Sequence, residues 1–158
     1  MSDRVRAMGE RLLAFEVGGA VYALPIAGVV EVAEVSPVAC VPTLPIELGG
    51  VVNYHGDALP VLRRDALLDV DESQLPEPEH VLVVSERASG AGQLGLPVDR
   101  VLGFVDGEGA QADGPDPVAE HRPIDGRVAS ILDPRQLVAR AREVIERSHV
   151  GASSSGRN

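Results

Sequence analysis

Asn53, Tyr54, His55 and Gly56 stand together between two short apolar runs in the middle of the chain. An imidazole beside an amide and a phenol could belong to an active-site loop, bind a metal ion, or simply lie in the turn of a hairpin. None of the four histidines lies two to five residues from another histidine or from the single cysteine, Cys40, which is the spacing of a zinc-binding pair. We therefore expect no metal and no cofactor, although residues distant in sequence could still converge.

The motifs of the common enzyme classes are missing as well. No Gly-x-Ser-x-Gly motif occurs, and all 14 basic residues are arginines, which excludes a Walker lysine and lysine Schiff-base chemistry. The segment Gly107-x-Gly109-x-x-Ala112 is similar to a dinucleotide-binding loop, but no helical pattern follows it, so a turn-rich linker is the simpler interpretation. Carboxylates are numerous, yet nothing places one in an apolar pocket that would tune it for catalysis. We expect no enzymatic activity.

Composition points to one compact, valine-rich domain. A chain of 158 residues is within the range of a single domain, and its four Phe and Tyr residues, with no Trp, leave Val, Leu, Ala and Ile to fill the core. The net charge of -10 argues against a nucleic-acid partner, which needs a concentrated basic surface. The polar first residues and the absence of a long apolar run predict no membrane insertion and a cytoplasmic location.

The hydrophobic pattern predicts a mainly β, barrel-like protein with one helix at the end of the chain. Residues 69–79 are acidic and rich in proline, which indicates an exposed connection, and the three prolines of residues 36–48 predict an extended loop. The Asp-Gly pairs and prolines of residues 106–127 predict turns, and the apolar spacing of residues 134–147 predicts an amphipathic helix. A polar segment (1–10), one domain (11–148) and a flexible Gly/Ser tail (149–158) complete the predicted organisation. Strands are predicted at 11–17, 21–26, 29–35, 50–53, 58–62, 80–86, 93–98, 101–107 and 128–133, with a helical turn at 63–68.

The order of these features resembles the CheW family of chemotaxis coupling proteins, over roughly residues 11 to 146. No single motif is specific, but five occur in the family's order. They are Phe15-x-x-Gly18-x-x-x-Tyr22-x-Leu24-Pro25-Ile26-x-x-Val29-x-Glu31-Val32, Val41-Pro42-x-x-Pro45, Gly50-Val51-Val52-Asn53-x-x-Gly56 with Pro60-Val61, Gly95-x-x-Val98-Asp99-x-Val101-x-Gly103, and Ile131-Leu132-Asp133.

The resemblance implies a fold of two small, five-stranded, SH3-like β-barrels packed together, with a C-terminal α-helix. It also implies a non-catalytic adaptor without a cofactor, which couples a CheA-type histidine kinase to the cytoplasmic tip of methyl-accepting chemoreceptors. The kinase's regulatory domain has the same fold, so pairing of like barrels is the expected mode of assembly. A small-molecule or peptide-binding β-barrel, with or without enzymatic activity, remains the alternative from the residues themselves.

The resemblance also implies a set of candidate receptor-binding residues, each with a plainer structural interpretation. Val29 could be a core residue, Glu31 a solvated charge, and Asn53 a turn residue as readily as a contact. Tyr54 could anchor the core or contact a partner. The full set is Val29, Glu31, Gly50, Asn53, Tyr54, His55 and Gly56.

Two departures from the family concern the same region. The family turn reads Asn-Leu-Arg-Gly, whereas this chain has Tyr54 and His55 at the two central positions. A histidine is shorter than arginine and lacks its permanent charge and five donors, so receptor contact is expected to be altered. The family's Pro-Val-Val-Asp-Leu-Arg is replaced by Pro60-Val61-Leu62-Arg63-Arg64-Asp65.

Overall fold

The computed structural model describes residues 10–34, 48–86 and 91–155 of the chain. These residues form ten β-strands and two α-helices, α1 (Arg64–Leu67) and α2 (Pro134–Ser155), with short 3-10 turns at Ile26–Gly28 and Glu72–Gln74. The strands are β1 (Arg11–Val17), β2 (Ala20–Pro25), β3 (Val29–Glu34), β4 (Leu48–Tyr54), β5 (Asp57–Leu62), β6 (His80–Val84), β7 (Leu94–Val98), β8 (Arg100–Asp106), β9 (Val118–Ile124) and β10 (Arg127–Leu132).

The strands form two five-stranded sheets. The first sheet has the order β8-β1-β2-β10-β9 and the second has the order β3-β6-β7-β5-β4. Each sheet is antiparallel except for one parallel pair, β2 with β10 and β5 with β7. The second sheet is continuous in sequence between β3 and β7, whereas the first combines both ends of the chain. The chain therefore crosses between the sheets twice.

One large hydrophobic cluster joins the two sheets and the C-terminal helix. It contains Phe15 from the first sheet, Leu82 from the second and Leu137 from α2, all fully buried. A smaller cluster around Leu12 and Ile131 lies on the other face of the first sheet. Because both faces of the first sheet are covered, β1 is an almost continuous apolar run rather than an alternating one.

Two-residue turns close three of the hairpins. In each turn both central residues have positive φ, which is the geometry of a type I′ turn and matches the right-handed twist of the flanking strands. Glycine or aspartate fills five of the six positions, and a histidine fills the sixth. The turns are Gly18-Gly19 between β1 and β2, His55-Gly56 between β4 and β5, and Asp125-Gly126 between β9 and β10.

Strand β9 lies where the sequence predicted only turns. Its residues, VAEHRPI, include two charged side chains and Pro123, which is a poor strand signal. β9 is the end strand in the order of the first sheet and pairs with β10 alone. An end strand needs a ladder on one side only, so it tolerates a proline and polar residues that a central strand would not.

The connection between residues 69 and 79 is less exposed than predicted. Val70 and Leu75 pack against the large cluster, and Glu72 is held by Arg64. The Glu72–Gln74 turn within this connection begins with Asp71, whose side chain accepts a hydrogen bond from the Ser73 backbone amide. The charges and prolines of this segment predicted an exposed connection and gave no indication of the two apolar contacts.

Helix α2 begins as predicted but is longer. The Asp133 carboxylate accepts a hydrogen bond from the Arg135 amide at 3.0 Å, and Pro134 occupies the first helical position. The helix continues to Ser155, so residues 149–155 are helical in place of the predicted flexible tail. No proline interrupts this segment, and the single Gly151 weakens a helix without ending it. Residues 36–47 of the predicted 36–48 loop, which include Cys40, lie outside the described residues, and Leu48 begins β4.

Candidate functional site

The candidate residues Glu31, Tyr54 and His55 meet at one point on the surface of the second sheet. Tyr54 is the last residue of β4, and His55 is the first residue of the following turn. The Tyr54 hydroxyl donates a hydrogen bond to Glu31 Oε1 at 3.0 Å, and His55 Nε2 lies 3.6 Å from the same oxygen. The two rings contact each other edge to face, with 4.4 Å between centroids. We call these three residues the Glu31 cluster.

The Glu31 cluster joins the two ends of the second sheet. Glu31 lies on β3 and Tyr54 on β4, which are the first and last strands in the order of that sheet. They are 23 residues apart in sequence. The hydrogen bond between them crosses the place where the sheet curls toward closure, and it fixes the β4–β5 turn relative to β3.

The polar groups of the Glu31 cluster are ordered and open to solvent. Partial burial raises the pKa of the Tyr54 hydroxyl, and the hydrogen bond to Glu31 and the negative charge of that residue raise it further. Tyr54 therefore remains a donor to Glu31 at neutral pH. The side chains of Glu31 and His55 are 45% and 74% exposed, so the cluster presents a carboxylate and an imidazole to solvent without an enclosing cavity.

The remaining candidate residues have structural roles or lie apart from the cluster. Val29 is half-buried and packs against the large core cluster. Gly50 is buried, with a φ of 155° beside a register shift in the β4–β5 ladder. Gly56 supplies the second positive φ of the turn. The backbone of Asn53 pairs with Ala58, and its side chain is outside the described part of the structure.

Strand β3 exposes apolar side chains to solvent. Val30 and Val32 are among the exposed large hydrophobic residues, on either side of Glu31. A register shift between Val29 and Glu31 breaks the regular alternation of the strand, so the buried face cannot be deduced by counting alternate positions. The first sheet also exposes apolar side chains on its end strand β8, at Leu102 and Phe104.

A buried ion-pair network lies where the sheets meet, and sequence reasoning did not identify it. The Arg64 side chain donates to Glu72 Oε2 at 2.6 Å and to Asp99 Oδ1 at 2.6 Å. The second oxygen of Asp99 accepts the Gly18 amide at 2.8 Å. Arg64 begins α1, shortly after β5 of the second sheet, whereas Gly18 lies in the turn between β1 and β2 of the first sheet. The network therefore ties the two sheets and the 69–79 connection together.

Comparison with known proteins identifies the family. The CheW-like domain matches residues 11–142. The chain belongs to the CheW-like domain family. A relative described as "Chemotaxis protein CheW" from Rhizobium meliloti (strain 1021) is 32% identical over 93 residues, which are 59% of this chain and 58% of that relative. The match thus spans less than two thirds of the relative's length.

A solved structure of the same family confirms the fold class. The scaffolding protein TtCheW from Thermoanaerobacter tengcongensis superimposes with a TM-score of 0.63 at 19% identity, covering 78% of this chain and 83% of that one. The predicted architecture of two packed, five-stranded SH3-like barrels with a C-terminal helix is confirmed. We call the first sheet the first barrel and the second sheet the second barrel. Among the described residues of this CheW-like chain, no helix is long and apolar enough to cross a membrane.

Proposed function

We propose that this CheW-like chain is a non-catalytic adaptor that couples a CheA-type histidine kinase to chemoreceptors. It would act in the cytoplasm at membrane-bound receptor arrays, with the receptor tip on the second barrel and the kinase's regulatory domain paired with a barrel. The observation that carries this proposal is the exposed Glu31 cluster flanked by Val30 and Val32 on β3. Exposed apolar side chains and ordered polar groups are the components of a typical protein interface.

The Glu31 cluster also supports an altered receptor contact. The family resemblance implies an arginine at the position of His55, and an arginine would present a permanent cation there. In this chain the position is close to the Glu31 carboxylate instead, and no cationic Arg side chain pairs with Glu31 in the part of the chain that the structure describes. A partner adapted to this surface would supply hydrogen-bond donors or a positive charge opposite Glu31.

The test is the affinity of the purified chain for a chemoreceptor cytoplasmic tip. We expect Glu31→Gln to weaken binding by about tenfold, because a charge-assisted hydrogen bond is worth about 1.5 kcal/mol or more. Glu143→Gln is the matched control, since it makes the same charge change on the exposed side of α2. Equal affinities of wild type, Glu31→Gln and Glu143→Gln would contradict the proposed receptor site.

Substitution of His55 separates two kinds of receptor. His55 has a φ of 51°, so His55→Asn is a better deletion than His55→Ala, because asparagine tolerates this conformation. We expect His55→Arg to strengthen binding to a receptor tip that is adapted to arginine and to weaken binding to one adapted to histidine. Kinase binding should not change in either case. A receptor tip that binds wild type, His55→Arg and His55→Asn equally would exclude a recognition role for His55.

A further inference from the structure

A groove with a volume of about 590 Å³ opens between the β1–β2 hairpin and the 69–79 connection. Its size is that of a site for a small ligand or a single long side chain. Its walls carry one cationic side chain, Arg100, and six carboxylates. The carboxylates are those of Glu16, Asp69, Asp71, Glu77, Glu79 and Asp99. The groove lies on the barrel junction, apart from the Glu31 cluster, and no residue of that cluster lines it.

Half of these carboxylates are already engaged. Glu16 pairs with Arg127 at 3.0 Å, Asp99 pairs with Arg64 at 2.6 Å, and Asp71 accepts hydrogen bonds from a neighbouring serine. The other half have neither an ion pair nor a side-chain hydrogen bond among the residues that the structure describes. These unengaged carboxylates are Asp69, Glu77 and Glu79, and all three are exposed.

Tyr22 is a separate indication of a ligand. Its side chain is buried, with only 6% of the residue exposed, and its ring stacks on Phe15 with 5.9 Å between centroids. Its hydroxyl has no hydrogen-bond partner among the described residues and opens onto the groove, where a ligand could bond to it in place of water. Tyr22 lines both this groove and a second groove of about 540 Å³, and Asp69 lines both grooves with it. An unpartnered hydroxyl thus borders the groove beside an unengaged carboxylate.

The hydroxyl remains protonated at neutral pH. Burial raises the pKa of Tyr22, and the negative charge of Asp69 raises it further. A protonated hydroxyl can accept a hydrogen bond from a cationic donor while its own proton points toward a carboxylate. Apolar side chains complete the walls of the groove. They are Val17, Val70, Leu75 and Pro76.

We propose that this groove binds a guanidinium group on an aliphatic stem, with Asp69 and the Tyr22 hydroxyl as its polar partners. A guanidinium has several donors in one plane, so it can bond to a carboxylate and to a hydroxyl at the same time. The apolar wall accommodates the stem. A metal ion fits less well, because no group of three or more His, Cys, Asp or Glu side chains in the described residues is arranged to hold one.

The guanidinium could come from a small molecule or from an arginine side chain of a partner protein. The site goes beyond the adaptor role and does not depend on it, since the test needs only the purified full-length chain. We would titrate the ¹⁵N-labelled chain with agmatine, with a capped Gly-Arg-Gly peptide, and with n-butylurea, and follow backbone amide shifts. n-Butylurea has a similar planar group without the charge.

We expect saturable shifts at Gly18, Gly19 and Val70 with agmatine or the arginine peptide, and none with n-butylurea. Binding of agmatine alone assigns a free small molecule, whereas equal or tighter binding of the peptide assigns a partner's arginine. Either result supports the proposal. Failure of both cations to saturate, or equal binding of n-butylurea, would overturn it.

Asp69→Asn and Tyr22→Phe test the two proposed polar partners of the guanidinium. Asp69→Asn should weaken agmatine binding by up to about fivefold, because an ion pair at an exposed carboxylate is worth about 0.2–1 kcal/mol. Asp113→Asn, at an exposed carboxylate outside the groove, makes the same charge change and should leave affinity unchanged. Equal weakening by both would show only general attraction to a chain of net charge -10 and would overturn the site.

Tyr22→Phe removes the hydroxyl and keeps the ring. It should weaken agmatine binding by about threefold to tenfold, which is the value of one hydrogen bond. Because the hydroxyl is unpartnered in the free chain, the substitution should not lower the melting temperature. A folded Tyr22→Phe variant that binds agmatine as tightly as wild type would remove Tyr22 from the proposal.

Discussion

Removal of the Arg64 side chain should destabilise this protein strongly, whereas the arginine beside it should be nearly dispensable. The Arg64 side chain is 5% exposed and pairs with the carboxylates of Glu72 and Asp99, each at 2.6 Å. Arg63, its neighbour in sequence, pairs with Asp65 at 2.8 Å, but about a third of each of those side chains is exposed. The two arginines therefore offer a matched comparison between a buried and a surface ion pair.

The expected loss follows from what Arg64→Met leaves behind. The Asp99 side chain is 9% exposed, so without Arg64 its charge has little water to replace the lost partner. Breaking a buried ion pair from one side costs about 3–5 kcal/mol. At about 2–4 °C per kcal/mol for a domain of this size, the melting temperature should fall by roughly 10 °C. Arg63→Met should cost about 0–1 kcal/mol, as other surface pairs do.

Urea unfolding of the wild type and the two variants measures these free energies directly. The variants have the same net charge, so a general electrostatic effect would change both equally. A loss below about 1 kcal/mol for Arg64→Met, or equal losses for the two variants, would refute the view that the Arg64 network joins the barrels. A fall in the urea m-value for Arg64→Met alone would indicate that the barrels no longer unfold together.

Three other predictions concern the helix, the end of the chain and the kinase. Although burial alone would raise the pKa of Asp133, hydrogen bonds from Arg135 and the Ala112 amide hold it below its usual value. Asp133→Asn should therefore lower the free energy of unfolding by about 1 kcal/mol or more at pH 7. The difference from wild type should shrink as the pH falls below about 4, and thermal melts at several pH values would measure it. Truncation after Val150 should leave the melting temperature unchanged. In the part of α2 whose side chains are described, Val144 is the last buried residue. A fall of several degrees would contradict this prediction. Binding of a CheA-type regulatory domain should change little between low and high salt, since a largely apolar contact is expected, and a steep salt dependence in calorimetric titrations would contradict it.

Local patterns predicted most of the elements, because the signals that specify them are short in range. The β1–β2 and β4–β5 hairpins follow from paired turn residues between apolar runs, and helix α2 follows from the Asp133 cap and the apolar stripe that begins at Leu137. Strand β9 was not predicted because its own residues carry little strand signal. It is stabilised by its hydrogen-bond ladder to β10, and that pairing cannot be recognised from the residues of β9 alone. The extra length of α2 likewise has no boundary signal in the sequence.

The candidate site was predictable as a set of residues but not as an arrangement. The family resemblance drew attention to Glu31 and to the turn at Tyr54 and His55. Glu31 and Tyr54 are 23 positions apart in sequence, however, and no sequence pattern indicates that one carboxylate oxygen contacts both side chains. That contact exists because β3 and β4 occupy opposite ends of the order in a curled sheet. The Arg64 network escaped for the same reason, since its partners are 8 and 35 residues away.

The turn residue His55 shows how the local and distant requirements combine. Its φ of 51° is one that asparagine, aspartate, histidine and glycine adopt more readily than other residues, so the backbone does not by itself select histidine from this group. Its imidazole contacts the Tyr54 ring, and its Nε2 lies 3.6 Å from the Glu31 oxygen that accepts the Tyr54 hydroxyl. Asparagine at this position would keep the turn and lose these two contacts. A receptor-binding difference between His55→Asn and wild type, without a difference in melting temperature, would therefore place the role of the imidazole in recognition and not in folding.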